Sequence, residues 1–238
     1  MSPLLQSLDK NPPAWSGEII RRWDSDHFRS LEPFATSYLW TNSGSLNVFR
    51  VVGTDDPDCH GQTWRWLLRN GKRMALNLPL YESNRGYYLS DEKKEPTMSF
   101  ITTDGHDWYV HCDGNHRTCI ARFDFHYAGL TELRGLSLHD WRFDHGLAGA
   151  LSRLSEIVAE RRLPVRLEVT RATLSREDNP EWMRERYRPA IRLSRRADER
   201  LLDARAAWCA IAWLEGSWYR RLYRTWPLPR MVEVARHE

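Results

Sequence analysis

Apolar residues recur along this chain with two periods, and the changes between them mark the elements. A strand is predicted over 46–52, where Leu46, Val48, Val51 and Val52 cluster. Residues 62–69 read as a short helix, closed by Asn70-Gly71. Arg73–Leu78 is predicted as a strand stopped by Pro79. Tyr81–Pro96 is polar and reads as a loop, with a short strand at Tyr87-Tyr88-Leu89. Runs at 98–102 and 107–111 flank Asp104-Gly105, a turn pair that folds them into a hairpin. A helix follows over 115–127, then a strand over 133–138. Leu147, Leu151, Leu154 and Val158 draw one face of a helix over 146–162, and a strand is predicted over 163–169.

Beyond residue 175 the pattern changes. Asp178-Asn179-Pro180-Glu181 has the chemistry of a helix start, and Pro189 ends that helix. A longer helix is predicted over 194–224, with Leu201, Ala204, Trp208, Ile211, Trp218 and Leu222 as its apolar stripe, interrupted by Glu215. The fold class is therefore α/β (α+β), a mixed sheet with helices plus a C-terminal helical extension. Residues 1–175 form the main domain, and 176–238 an Arg-rich, Trp-containing extension.

Charge sharpens this division. From Leu151 onward there are 19 arginines, 13 acids and no lysine. A basic tail of this kind points to nucleic acid, with DNA as the expected partner. The interleaved acids allow a second use, a solvated helix face held by i,i+4 pairs. The same helices offer a dock for a protein partner. No apolar run approaches the ~20 residues of a membrane helix, so no insertion is expected. The first residues lack a basic n-region and an apolar h-region, and the four cysteines lack a disulfide or metal rhythm. Reduced thiols and a cytoplasmic location are expected.

The candidate chemistry lies in His111-Cys112-Asp113-Gly114-Asn115-His116-Arg117-Thr118, between the predicted hairpin and helix. Free N–H groups at a helix start favour an anion, and Gly114 permits the tight turn. Gly114, Asn115, His116, Arg117 and Thr118 are the candidate phosphate-binding residues. Arg117 would hold phosphate and stabilise developing charge; His116 would bind phosphate or move a proton. Asp113, Asp104 and Asp107 are candidate metal ligands, Asp113 doubling as a catalytic candidate.

Cys112, four residues, then Arg117 and Thr118 matches rhodanese spacing, with Asn115 in place of the usual glycine. Protein tyrosine phosphatases need one residue more. Read from the glycine, Asp113-Gly114-Asn115-His116-Arg117 with Thr118–Arg122 resembles the ParB/sulfiredoxin superfamily, ParB-like nucleases included. The resemblance covers about 67–144. It implies binding of ATP or another nucleotide triphosphate, with Mg2+, and hydrolysis of ATP or DNA. Sulfiredoxins carry cysteine, and partition proteins glutamate, where this chain has Asn115. By analogy, a plasmid-borne protein that inhibits conjugative transfer fits better. A non-catalytic nucleotide- or DNA-binding regulator, acting through a protein partner, is the alternative.

Overall fold

A computed structural model describes residues 2–196 and 198–216. In chain order the elements are α1 (Pro3–Lys10), β1 (Arg21–Arg22), α2 (Ser25–Leu31), β2 (Ala35–Asn47), β3 (Val51–Thr54), α3 (Trp64–Asn70), α4 (Met74–Ser83) and α5 (Gly86–Leu89). Then come β4 (Ser99–Thr102), β5 (Trp108–Val110), α6 (Asn115–Ala128), β6 (Glu132–Phe143), α7 (His145–Glu160), β7 (Arg166–Asp178), β8 (Trp182–Arg195), β9 (Asp198–Leu202) and α8 (Ala204–Glu215). Parallel and antiparallel pairings coexist, so the class is mixed α+β, as expected. Among the described residues no helix is long and apolar enough to cross a membrane.

The chain divides into two compact units. Of the described residues, the first comprises 2–27, 37–142 and 176–185; the second comprises 28–36, 143–175, 186–196 and 198–216. In the first unit the strand order is β1-β3-β5-β4-β6-β2. β1, β3 and β5 are mutually parallel, and β4 forms the expected hairpin with β5, pairing Phe100 with Val110. Gly105, at φ +73°, makes its turn. α6 packs into the core of this unit. Cys119, Ile120, Ala121 and Phe123 are all fully buried, and Gly114 and Gly129 close its two ends in left-handed conformations.

The second unit has its own core, in which Leu147, Ala150, Leu154 and Ile157 of α7 meet Ile191, Leu202, Ala207 and Ile211. Spacings of three and four residues put the α7 set on one face, and Asp144 caps the helix by accepting from the Leu147 N–H at 2.8 Å.

Several elements differ from the sequence reading. The predicted strand over 46–52 is broken by a 3-10 turn at Val48–Arg50, where the Asn47 carboxamide accepts from the Phe49 N–H. Arg73–Leu78 is helical, not a strand, and α4 continues through Pro79. Met, Ala and Leu are strong helix formers, and this run has no β-branched residue to oppose them. Tyr87–Leu89 belongs to the short helix α5. The expected helix after Asp178 is the turn of a β7–β8 hairpin. Asn179 does act as a cap, but its side chain accepts from the Glu181 and Trp182 N–H groups to make that turn. The predicted 194–224 helix resolves into the end of β8, β9 and α8, and so the extension is part strand. Its expected positions Trp218 and Leu222 lie outside the described residues.

Candidate functional site

β3 and β5 run parallel with Thr54 beside Val110. Both chains leave the sheet at the same edge, so Asp55 and His111 emerge side by side although 56 positions apart. His111 Nδ1 lies 2.8 Å from Asp55 Oδ2, and the same oxygen accepts the Cys112 N–H at 3.2 Å. Cys112 has φ +68°, an uncommon conformation for a residue with a side chain. Asp113 Oδ1 accepts the Gly114 N–H at 2.7 Å, and Gly114 turns the chain into α6 at φ +119°.

At the start of α6 no side chain caps the helix. The Thr118 N–H reaches back to the Gly114 carbonyl, while the N–H groups of Asn115, His116 and Arg117 meet no acceptor among the described residues. The Thr118 hydroxyl is buried and also without a partner. Asn115 donates to Asp56 Oδ2 at 3.2 Å.

The remaining motif residues face inward. Arg117 is only 11% exposed in its side chain. Its guanidinium donates to the Tyr87 hydroxyl (2.6 Å), the Pro96 carbonyl, the Thr97 carbonyl (3.0 Å) and Asp113 Oδ2 (2.9 Å). The predicted phosphate grip is thus already filled by protein oxygens, and Arg117 ties the 87–97 segment to α6. His116 is buried, with Nε2 accepting from the Arg73 N–H at 3.3 Å and its ring against Gly71, where a Cβ would intrude. Burial pushes its pKa down, which keeps it neutral.

The expected metal ligands separate. Asp104 Oδ1 is spent on the hairpin tip, accepting from the Thr102 hydroxyl and the N–H groups of His106 and Asp107. Asp107 pairs with Arg21 at 2.8 Å. Asp113 lies past the other end of the same hairpin, where its carbonyl accepts from the Ser99 N–H. Asp104 and Asp107 at the tip and Asp113 at the open end of the hairpin therefore do not form one metal site.

The grouping that the structure does bring together is Asp55, His111 and Cys112, with one donor atom of each within 4.8 Å of the others. His139 lies beside it. That ring lies 5.9 Å from His111 and bonds through Nδ1 to the Tyr38 hydroxyl at 2.9 Å, while Tyr38 stacks on Trp141. Burial, reinforced by the nearby His111, drops the His139 pKa to about 4. The Cys112 thiol is pushed up by burial and by Asp55 and Asp113. A sulfurtransferase nucleophile needs the reverse, so this setting weighs against rhodanese-like chemistry.

No family model, curated protein or solved structure matches the chain.

Sequence reading missed Asp55 and His139 and left His111 in a strand. Asp55 follows an apolar strand directly, and an acid at that position was the available signal. Ligands gather outside the carboxyl ends of parallel strands, and the β3–β5 pairing was needed to see that this is such an edge.

Proposed function

We propose that the chain binds a phosphate group, of a nucleotide triphosphate or of DNA, at the start of α6. One observation carries this reading: three first-turn N–H groups and no side-chain cap, at a left-handed glycine next to the sheet edge. Unsatisfied amides and the helix dipole together favour an anion there. The resemblance of Asp113–Arg117 to ParB/sulfiredoxin motifs points the same way, although Arg73–Leu78, expected to be a strand in that comparison, is helical.

The surroundings add a condition. Asp55, Asp56 and Asp113 line the same turn. Their charge repels a bare phosphate, so the anion should enter with a divalent cation, consistent with the Mg2+ implied by the resemblance.

Whether bound phosphate is also hydrolysed turns on Arg117. Four of its five N–H donors, all those on the two terminal nitrogens, already meet protein oxygens, so the forked grip a transferring phosphoryl group needs is taken. This favours the second reading, a non-catalytic nucleotide- or DNA-binding regulator, over an ATPase or DNase related to conjugation control. ATP and a short DNA strand should each be titrated by calorimetry, with and without divalent cation, and free phosphate or cut DNA measured in the same samples. Cation-dependent binding supports the site; turnover would restore the enzyme reading. Absence of binding by either ligand in every cation condition would end the proposal.

A further inference from the structure

The donors gathered at the sheet edge are chemically unlike those of a phosphate-bound Mg2+. They are one imidazole, one thiol and one carboxylate, on three side chains from two parallel strand ends. Mg2+ and Ca2+ select oxygen ligands; a nitrogen–sulfur–oxygen set selects Zn2+ and its first-row neighbours. Zinc bond lengths of about 2.0–2.3 Å place tetrahedral ligand atoms roughly 3–4 Å apart. The three donor atoms already lie within 4.8 Å of one another, so side-chain rotation alone can close them on an ion.

We infer that Asp55, His111 and Cys112 form a three-ligand site for a divalent transition metal, Zn2+ in the first instance. Three protein ligands leave the fourth position for water or an incoming oxygen, the pattern of reactive rather than structural zinc. The site is held for this use. The Cys112 N–H fixes Asp55, and His111 is backed by the His139–Tyr38 pair. In the metal-bound form the thiol proton leaves to solvent and the neutral His111 ring carries its one proton on the nitrogen turned away from the ion, so that the Cys112 thiolate, the other ring nitrogen and the Asp55 carboxylate each supply a lone pair. No oxidation or reduction is involved.

This site stands apart from the phosphate reading, because it is defined by the donors alone. The test uses Co2+ and Zn2+ alone with the whole protein. Co2+ should give a thiolate charge-transfer band and tetrahedral visible absorption at one ion per chain. Cys112→Ser should abolish the charge-transfer band, whereas Cys209→Ser, altering the other exposed cysteine, should retain it. Asp55→Asn and His111→Gln should each weaken Zn2+ binding by about 100-fold or more in chelator competition, since even outer-sphere changes cost about 10–100-fold. Circular dichroism shows whether each variant is folded. Excess Mg2+ should not displace the ion. An octahedral Co2+ spectrum without the thiolate band, retention of the band in folded Cys112→Ser, or displacement by Mg2+ would overturn the assignment. Metal binding without ATP or DNA binding would sink only the phosphate proposal; the reverse would sink only this one.

Discussion

At the scale of single residues, Arg117 shows how a motif changes meaning in context. The guanidinium expected to meet phosphate holds four protein oxygens instead. Arg117→Ala should therefore lower stability by about 1.5–3 kcal/mol, the range for hydrogen bonds to a charged group, read as a urea-midpoint shift. Loss of phosphate affinity without loss of stability would return Arg117 to the ligand. His139 makes a second prediction. Its pKa is about 4 in the folded chain, against 6.5 ordinarily. Between those values the unfolded chain binds the proton and the folded chain does not, so stability is full above about pH 6.5 and falls as pH drops towards 4. The loss should be about 2 kcal/mol after allowance for partial solvent screening. His139→Gln should flatten that part of the stability–pH curve, followed as melting temperature at stepwise pH. The motif residues were legible in the sequence as a strand–turn–helix junction, and so was Gly114 as its pivot. The occupation of Arg117 was not, because its partners sit 4–30 positions away in segments with no periodic signal.

At the scale of elements, the hydrophobic period identified α3 and α7, because each buries one face against a core that repeats its spacing, whereas α6 and β4 are buried all round and are marked instead by the turns at Gly114 and Asp104-Gly105. It failed where local chemistry suits two structures. Asn179 caps equally well in a helix or a turn, and the following residues decide. Along β8, Arg186 and Arg188 are exposed, while Tyr187, Pro189 and Ile191 between and beside them are buried, the two-residue alternation of a strand. Arg186, Arg188 and Arg192 share one face, and among the described residues no acid lies within ion-pair range of them. The expected DNA contact has better candidates here than at Arg200, which reaches Asp198 at 3.6 Å. Replacing Arg186, Arg188 and Arg192 with glutamine should reduce the slope of log affinity for DNA against log salt by about 2–3, if each neutralises one phosphate. An unchanged slope would free this strand from any DNA role. A glycine within β6 gives a further test. Gly135 has φ +71°, and a Cβ there would strike the Glu92 carbonyl. Gly135→Ala should destabilise the fold by about 1–3 kcal/mol by chemical denaturation.

At the scale of the whole molecule, the two units have separate cores with no residue in common. The sequence suggested a division near residue 175, where composition changes. The units instead interleave: residues 28–36 belong with the second and 176–185 with the first. No compositional shift marks such exchanges, since a strand that passes from one unit to the next keeps the same alternation throughout. Leu154, 1% exposed in the second core, should cost about 2–5 kcal/mol when cut to alanine, yet leave Zn2+ affinity at the first unit's sheet edge unchanged. Calorimetric melting beside metal titration checks both halves of that statement.

Arg122, midway along α6, is buried at 3% exposure, and among the described residues no carboxylate comes within ion-pair distance of it, Glu18 acting only as a more distant charge. One of its nitrogens donates to the Val51 carbonyl, and its guanidinium lies 4.5 Å from the Trp15 ring and 4.1 Å from the Trp64 ring. The π-faces of two indoles are thus the groups nearest the charge. Trp15 belongs to a stretch that a protein engineer trimming the chain for crystallisation would discard as leader. Clipping at residue 18 would open one wall of this box and bare a cation in the middle of the helix that begins at the sheet edge proposed to hold metal and phosphate. The shortest useful version of the first unit therefore keeps its opening residues, and a preparation nicked there should lose the site before it loses its strands.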